Sequence, residues 1–214
     1  MFVSQPTRGN TRNGAQARKW ILAQNYNIDV AASDPSTDEA TLLDIVANAS
    51  SIQIALVAAN QGASANVLSA IMAGKPNEEI CKRLSMNPST PGSVLAELST
   101  TFRNSHAQIL SNLAANPNLP TDILVTMLPN TDYKKDNWVE DFAPYKQAAM
   151  NPSAPVVEVM KSLPFMKTDE LRLKVLSKRG REIITHLNQA HGITLSSPSA
   201  TQLYRAAVTA ATAE

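Results

Sequence analysis

Apolar residues recur along most of this chain with the three- and four-residue spacing of amphipathic helices, and short corners rich in asparagine and proline interrupt them. The stretch 113–128, LAANPNLPTDILVTML, contains one such corner. Proline lacks an N–H and disfavours helix in the residue before it, so Asn116 is expected to end one helix and Pro120 to take the first position of the next. Acidic Asp122 suits the positive end of that second helix. The stretch is therefore predicted to be two helices joined by a tight corner.

The same corner is predicted at five places, three with both prolines and two in a degenerate form. The five corners begin at residues 26, 27, 29 and 35 positions apart, namely Asp34, Asn60, Asn87, Asn116 and Asn151. An aliphatic residue follows eight positions after each start: Leu42, Leu68, Leu95, Leu124 and Val159. A recurring unit of this length predicts a solenoid, in which each unit buries its apolar face against its neighbours. Helices are expected to end at Asn87, Asn116 and Asn151.

Each unit is predicted to hold two helices, one after the corner and a shorter one that leads to the next corner. The shorter helices are predicted over 52–59, 78–86 and 106–115. Small residues precede several of the asparagines and would let neighbouring helices approach closely: Ala58, Ala59, Ala114, Ala115, Ala148 and Ala149.

The repeated phrase A-x-N-P-x-x-P-x-x-[VIL]-L resembles the leucine-rich repeat variant family, a bacterial relative in style of the HEAT and armadillo solenoids. The resemblance covers roughly residues 31 to 165. It implies a right-handed superhelix in which α-helices alternate with 3₁₀-helices, with no β-sheet. The units here are longer than is usual in that family, and the last interval is stretched. Some members carry an N-terminal cysteine cluster for an iron–sulfur centre, but this chain has one cysteine, Cys81, so no cofactor is predicted.

The predicted fold class is therefore all-α, a right-handed α-solenoid of about five two-helix repeats with non-repeat helical caps at both ends. Residues 1–30 are interpreted as a mobile basic arm and a capping helix that contains Trp20 and Ile21, and residues 31–165 as the solenoid. Residues 166–214 are interpreted as a basic helical cap. Its three predicted helices are one over 169–178 stopped by Gly180, one over 181–190 stopped by Gly192, and one capped by Ser199 with Gln202.

Charge is distributed unevenly along the chain, although the formal net charge is only +1. Residues 1–19 hold four basic residues and no acidic one, and residues 20–160 hold seven basic and fourteen acidic residues. Residues 161–214 hold eight basic and four acidic residues. Two interpretations stay open: the charges are solvated helix faces, or an acidic body with basic ends steers different partners.

The sequence predicts a cytoplasmic protein that does not insert into a membrane. No apolar run approaches the roughly 20 residues that a membrane helix needs. The first 20 residues lack the apolar stretch of a secretory signal, and a single cysteine excludes an intramolecular disulfide.

We find no catalytic constellation and predict that the chain is not an enzyme and holds no metal. His186 and His191 are five residues apart, a spacing expected to place them on different sides of a helix, and His106 is distant in sequence. Cys81 adjoins two basic residues but has no evident base, so we interpret it as a buried structural thiol. The phosphate-binding and nucleophile-elbow motifs are absent from the sequence.

The longest interval between corners carries an insertion, 129–146, that is rich in aromatic residues. Trp and Tyr ringed by polar groups are typical of interface hot spots, and solenoid insertions often lie on the binding face. The predicted partner-binding residues, with Trp138 as anchor, are Tyr133, Lys134, Lys135, Asp136, Trp138, Glu140, Asp141, Phe142 and Tyr145. The alternative is that these rings fold back onto the repeats and fill space.

Two function classes follow from these features. The first is a non-enzymatic interaction module that binds another protein and regulates or tethers it. The alternative is a nucleic-acid-associated regulator that grips phosphates through its basic ends. A patch for nucleic acid or for an acidic partner is predicted at Lys174, Lys178, Arg179 and Arg181. The acidic middle of the chain favours the first class. The oligomeric state stays open.

Overall fold

The computed structural model describes residues 28–103, 105–129 and 144–213, and these residues are helical with no strand. This confirms the all-α prediction. No helix in the described ranges is both long enough and apolar enough to cross a membrane. The predicted capping residues Trp20 and Ile21, and the basic residues of the first 19 positions, lie outside the described ranges.

The chain divides into two compact units, Met1–Ile80 and Cys81–Glu214. The first unit contains α1 (Ile28–Ser33), α2 (Glu39–Asn48), α3 (Ser51–Ala59), α4 (Ala65–Ala73) and the first turn of α5 (Glu78–Met86). The second contains the rest of α5, then α6 (Gly92–Thr101), α7 (Ala107–Ala115), α8 (Thr121–Thr126), α9 (Pro144–Met150), α10 (Val156–Ser162), a 3₁₀-helix (Leu163–Phe165), α11 (Asp169–His191) and α12 (Ala200–Ala211).

All five predicted corners adopt the same turn. The side-chain Oδ1 of the first residue accepts a hydrogen bond of 2.8 to 3.0 Å from the backbone N–H two residues later. Its backbone carbonyl accepts a second bond, of 3.1 or 3.2 Å, from the N–H three residues later. Asparagine and aspartate favour this turn because their side chains mimic a backbone carbonyl. The turn withdraws the chain from the helix, so helices end directly before Asn87, Asn116 and Asn151, as predicted.

A proline directly precedes each helix that follows the last three corners. It lies one position before the first helical residue, where the sequence predicted it to be the first helical residue itself. Pro120 has φ −53° and ψ 136° and precedes Thr121, the first helical residue. Pro91 and Pro155 hold the same place before α6 and α10. The ring still fixes a compatible φ, while the extended ψ lets the chain leave the corner before the helix begins.

The core contains the aliphatic residues that the spacing predicts. The five residues eight positions after each corner start are at most 1% exposed: Leu42, Leu68, Leu95, Leu124 and Val159. Small residues that precede the asparagines are also buried, including Ala58, Ala114 and Ala148, each at 0%. Small side chains at these positions allow helices to pack closely, and in the first unit α3 packs on α1, α2 and α4.

Two expectations about helix type are wrong. The elements that lead into the corners are α-helices, so the alternation with 3₁₀-helices that the resemblance implies is not found in the described residues. Gly180 does not stop a helix, because α11 runs unbroken through it for 23 residues. A Cβ at Gly180 would lie 3.3 Å from Leu203 Cδ2, so this glycine permits close packing of α12. Gly192 ends α11 with φ 66°, and Ser199 and Gln202 form the predicted capping box.

Candidate interaction surfaces

Three asparagine side chains, those of Asn60, Asn116 and Asn151, join their corner to the one before it. In the first unit, Asn60 Nδ2 donates to the carbonyl oxygens of Ala32, at 3.0 Å, and Asp34, at 2.9 Å. In the second unit, Asn116 Nδ2 donates to Ser85 and Asn87 in the same way, at 3.1 and 3.0 Å. Each amide therefore uses its oxygen within its own corner and its NH₂ group on the preceding corner. We call this arrangement the asparagine ladder.

The ladder keeps its register across the long interval before Asn151. Asn151 Nδ2 donates to the carbonyls of Ala114, at 2.8 Å, and Asn116, at 3.0 Å, although 35 residues separate the two asparagines. The longer interval therefore does not alter the bonds of the corner. The described residues that flank the undescribed range 130–143, namely Leu128, Pro129 and Pro144, are buried.

Most of the predicted partner-binding residues lie outside the described ranges, and one lies in the core. Tyr133, Lys134, Lys135, Asp136, Trp138, Glu140, Asp141 and Phe142 fall between residues 130 and 143. Tyr145 belongs to α9 and is only 5% exposed, because α9 packs on α7. The prediction that Tyr145 lies on a partner-binding surface is therefore corrected: its ring is part of the packed interior.

The corner prolines form an exposed edge that the sequence did not single out as a surface. Pro88, Pro117 and Pro152 are all exposed. In the second unit their carbonyls anchor the next corner, since Asn118 Nδ2 donates to Pro88 O at 2.7 Å and Ser153 Oγ to Pro117 O at 2.9 Å. None of the three corners 87–91, 116–120 and 151–155 contains a charged residue. This gives an uncharged edge with a fixed spacing.

Arg179 does not belong to an exposed basic patch, contrary to the prediction. Its side chain is 3% exposed, and it donates to the carbonyl oxygens of Asn151, at 2.5 Å, and Ala154, at 2.8 Å. Its Nε also donates to Glu182 Oε2 at 2.7 Å. The guanidinium thus binds the last corner, as the asparagines bind the earlier ones. Burial of an arginine is tolerated here because carbonyls and a carboxylate satisfy its donors.

The remaining three patch residues lie on one side of α11. Lys174, Lys178 and Arg181 are exposed and spaced four and three residues apart, which places them opposite the buried residues of this helix. Lys174 Nζ lies 2.7 Å from Glu170 Oε1. That hydrogen bond, with the charges of Lys174 and more weakly Lys146, lowers the pKa of Glu170. We call Lys174, Lys178 and Arg181 the basic stripe.

The described residues offer no evident reactive centre. They contain no group of three or more His, Cys, Asp or Glu side chains that could hold a metal ion. Cys81 is 4% exposed, a buried thiol as interpreted from the sequence. The rings of His186 and His191 lie 5.6 Å apart in an edge-to-face pair, so the expectation that they point to different sides is wrong. His106 packs its ring against Phe102 at 5.1 Å.

Comparison of this chain with protein-family models, with curated proteins and with solved structures gave no match. The resemblance to the leucine-rich repeat variant family therefore stays a prediction from the corner motif.

Proposed function

We propose that this chain is a non-enzymatic protein-interaction module, built as a right-handed α-solenoid of about five two-helix repeats in the style of the leucine-rich repeat variant family. The observation that carries the proposal is the asparagine ladder. Because each ladder amide binds the backbone of the preceding corner, equivalent positions of neighbouring repeats are held at a fixed offset. Repeat proteins use such regular stacking to present extended surfaces to a partner.

The insertion is the proposed partner-binding segment, with Trp138 as its anchor. The described residues support this in two ways. Asn151 makes the same ladder bonds as Asn116, which no insertion precedes, so the register of the corners does not require the extra residues. Pro129 and Pro144, which flank the undescribed residues 130–143, are both buried. Insertions of this kind in solenoids often lie on the binding face.

The nucleic-acid alternative draws its support from the basic stripe. Two findings reduce that support. Arg179 is buried and already bonded to two carbonyls, and Lys174 is paired with Glu170. Phosphate-backbone binding gains affinity from each cation that neutralises a phosphate, so two remaining cations are few for this purpose. The interaction module is the better-supported function.

Trp138→Ala tests the proposal, with Tyr145→Ala and Phe165→Ala as matched aromatic controls. A protein captured by the immobilised full-length chain is purified, and its binding to each variant is measured together with thermal unfolding. We expect Trp138→Ala to lose roughly 2 kcal/mol or more of binding with little change in Tm. Tyr145→Ala should lower Tm by several degrees, because its ring is buried. Phe165, 39% exposed, should affect neither quantity strongly.

The outcomes separate the alternatives for the insertion. If Trp138→Ala lowers Tm as much as Tyr145→Ala does, the ring folds back onto the repeats. If it changes neither binding nor Tm, the insertion is not the partner-binding segment.

A further inference from the structure

The basic stripe is a row of exposed cations on α11. Among the described residues, Lys178 and Arg181 make no ion pair, whereas Lys174 is held by Glu170. A rise of 1.5 Å per helical residue separates the first and last stripe residues by about 10 Å. Leu173, 52% exposed, borders the stripe.

The described part of the first unit carries the opposite charge, since residues 28–80 include seven carboxylates and one lysine. The four basic residues of positions 1–19 lie outside the described ranges. Four of these carboxylates take hydrogen bonds from neutral groups, which leaves their charge uncompensated: Asp34 from Ser36, Asp38 from Thr41, Glu39 from Asn66 and Asp44 from Asn48. The same unit exposes two large apolar side chains, Val30 at 56% and Ile52 at 70%.

Residues 28–80 and the part of α11 that carries the stripe therefore each expose apolar side chains together with charges, and the charges are of opposite sign. Opposite charges steer the encounter of two molecules, and apolar side chains contribute when contact removes them from water. We propose that copies of this chain associate head to tail, with residues 28–80 of one molecule docked on the basic stripe of another.

The proposed association is heterologous and weak. The two surfaces differ, so the contact is heterologous and builds a closed ring or an open chain of copies. Exposed ion pairs contribute little individually and are screened by salt. We therefore expect a weak, concentration-dependent assembly that dissociates at high ionic strength. The proposal is independent of the partner of the insertion, because neither surface includes residues 129–146.

Sedimentation velocity of the full-length chain tests the proposal. The unmodified protein should show a mass above the monomer that rises with concentration at about 50 mM salt, and its dissociation constant should weaken at least about tenfold at about 500 mM salt. Lys178→Glu with Arg181→Glu should be monomeric at both. The control is Lys161→Glu with Arg205→Glu, which changes the net charge equally at exposed sites outside the stripe and should keep the association.

A charge-swap experiment locates both partners. Glu39→Lys with Asp44→Lys reverses the charge of exposed Glu39 and half-buried Asp44 on the first unit, and this chain should also be monomeric alone. Mixed with the Lys178→Glu, Arg181→Glu chain, it should restore association, because each reversed surface then faces an opposite charge. Circular dichroism of each variant verifies that the helices are intact.

Three results would overturn the proposal. One is a monomer at low salt for the unmodified chain at all concentrations up to about 200 μM, since any association with a dissociation constant below that concentration would be populated there. Another is an equal loss in the Lys161, Arg205 control, which would mean that net charge acts without a specific surface. The third is salt-sensitive retention of DNA or RNA that Lys178→Glu with Arg181→Glu abolishes while self-association persists; the stripe would then bind phosphates. In none of these cases is the proposed binding through Trp138 affected.

Discussion

The corners of the two units form the same turn but start the next helix with different residues. The first unit has two of these corners and the second has three. All five share the turn in which an Asn or Asp oxygen accepts from the N–H two residues later. In the first unit the following helix starts with a side-chain cap: Asp38 accepts from Thr41 N at 3.0 Å, and Ser64 from Val67 N at 3.3 Å. In the second unit proline holds that place and provides no side-chain cap.

The comparison teaches which parts of the corner are interchangeable. A capping side chain satisfies an open N–H of the helix, whereas proline fixes φ in advance and lowers the entropy of the unfolded chain. The Asn or Asp that begins the corner and the aliphatic residue eight positions later occur in every copy. No other residue type replaces them in the way that proline and a capping side chain replace one another. At Asp34 the carboxylate accepts hydrogen bonds from Ser36 but has no donor for another corner. Asn60, Asn116 and Asn151 accept through the amide oxygen and donate through the amide NH₂ group.

The largest effect is expected at the buried aliphatic position. Leu68→Ala in the first unit, and Leu95→Ala or Leu124→Ala in the second, should each cost roughly 2–5 kcal/mol of unfolding free energy, because each leaves a cavity in a fully buried site. Chemical denaturation measures the loss, with half-buried Val125→Ala as the milder control. A cost below about 0.5 kcal/mol at Leu68 alone would mean that the degenerate copies pack differently.

The ladder asparagines come next. Asn60→Ala and Asn116→Ala should each cost roughly 2–4 kcal/mol, because two buried carbonyls lose their donor. Asn116→Asp sharpens the test, since it keeps the accepting oxygen of the turn and removes only the donor to the preceding corner. Exposed Asn48→Ala should change stability little. Equal stability of Asn116→Asp and the unmodified chain would show that the ladder bonds are unimportant.

A smaller effect is expected at the third residue of the corner. A Cβ at Gly62 would lie 2.1 Å from Pro35 O, so Gly62→Ala forces a backbone shift and should cost about 1–3 kcal/mol. Ser153 holds the equivalent place in the last corner and donates to Pro117 O instead. Because that bond is solvent-exposed, Ser153→Ala should cost about 0.5 kcal/mol. Thermal unfolding of the pair compares the two designs, and a tolerated Gly62→Ala would contradict the close approach.

Replacing a capping residue before a helix by proline should change stability still less. Ser64→Ala removes a cap bond and should cost about 1 kcal/mol. Ser64→Pro should recover part of that loss, because Ser64 already has φ −70° and ψ 160°, which proline can adopt. Denaturant titration measures the unfolding free energy of the unmodified chain and of the two variants. If Ser64→Pro is less stable than Ser64→Ala, proline cannot replace a capping side chain before this helix.

The smallest effect concerns acid. Hydrogen bonds from the Ser36 hydroxyl and then from the Ser36 N–H lower the pKa of Asp34 below its ordinary value of 3.8. A lowered pKa contributes stability that is present above the ordinary value and is lost as pH falls through the folded-state value. The Ser36 amide resonance should therefore titrate with a midpoint below 3.8. The Gly62 amide, bonded to Asn60, should not follow it, and Asp34→Asn should abolish the transition.

Much of the fold was predictable because its signals are local. The Asx turn and the proline that follows act within five residues, so the helix ends before Asn87, Asn116 and Asn151 could be placed from sequence. The eight-residue offset identified the buried aliphatic residues for the same reason. The candidate site was less predictable: Tyr145 was assigned to a surface because it lies among charged residues, but packing of α9 on α7 buries it.

The sequence by itself determined that helices stop at the corners and which face of each is apolar, since both depend on neighbours a few residues away. Tertiary structure alone decided that Gly180 lies inside a helix and that Arg179 is buried. A glycine at a helix end and a glycine inside a helix look alike until Leu203 packs within 3.3 Å of the missing Cβ. An arginine in a basic run looks solvated until Asn151 and Ala154, 28 and 25 residues earlier, place their carbonyls within reach of its guanidinium. Neither outcome has a local signal, because the groups that decide it are distant in sequence and meet only when the helices pack.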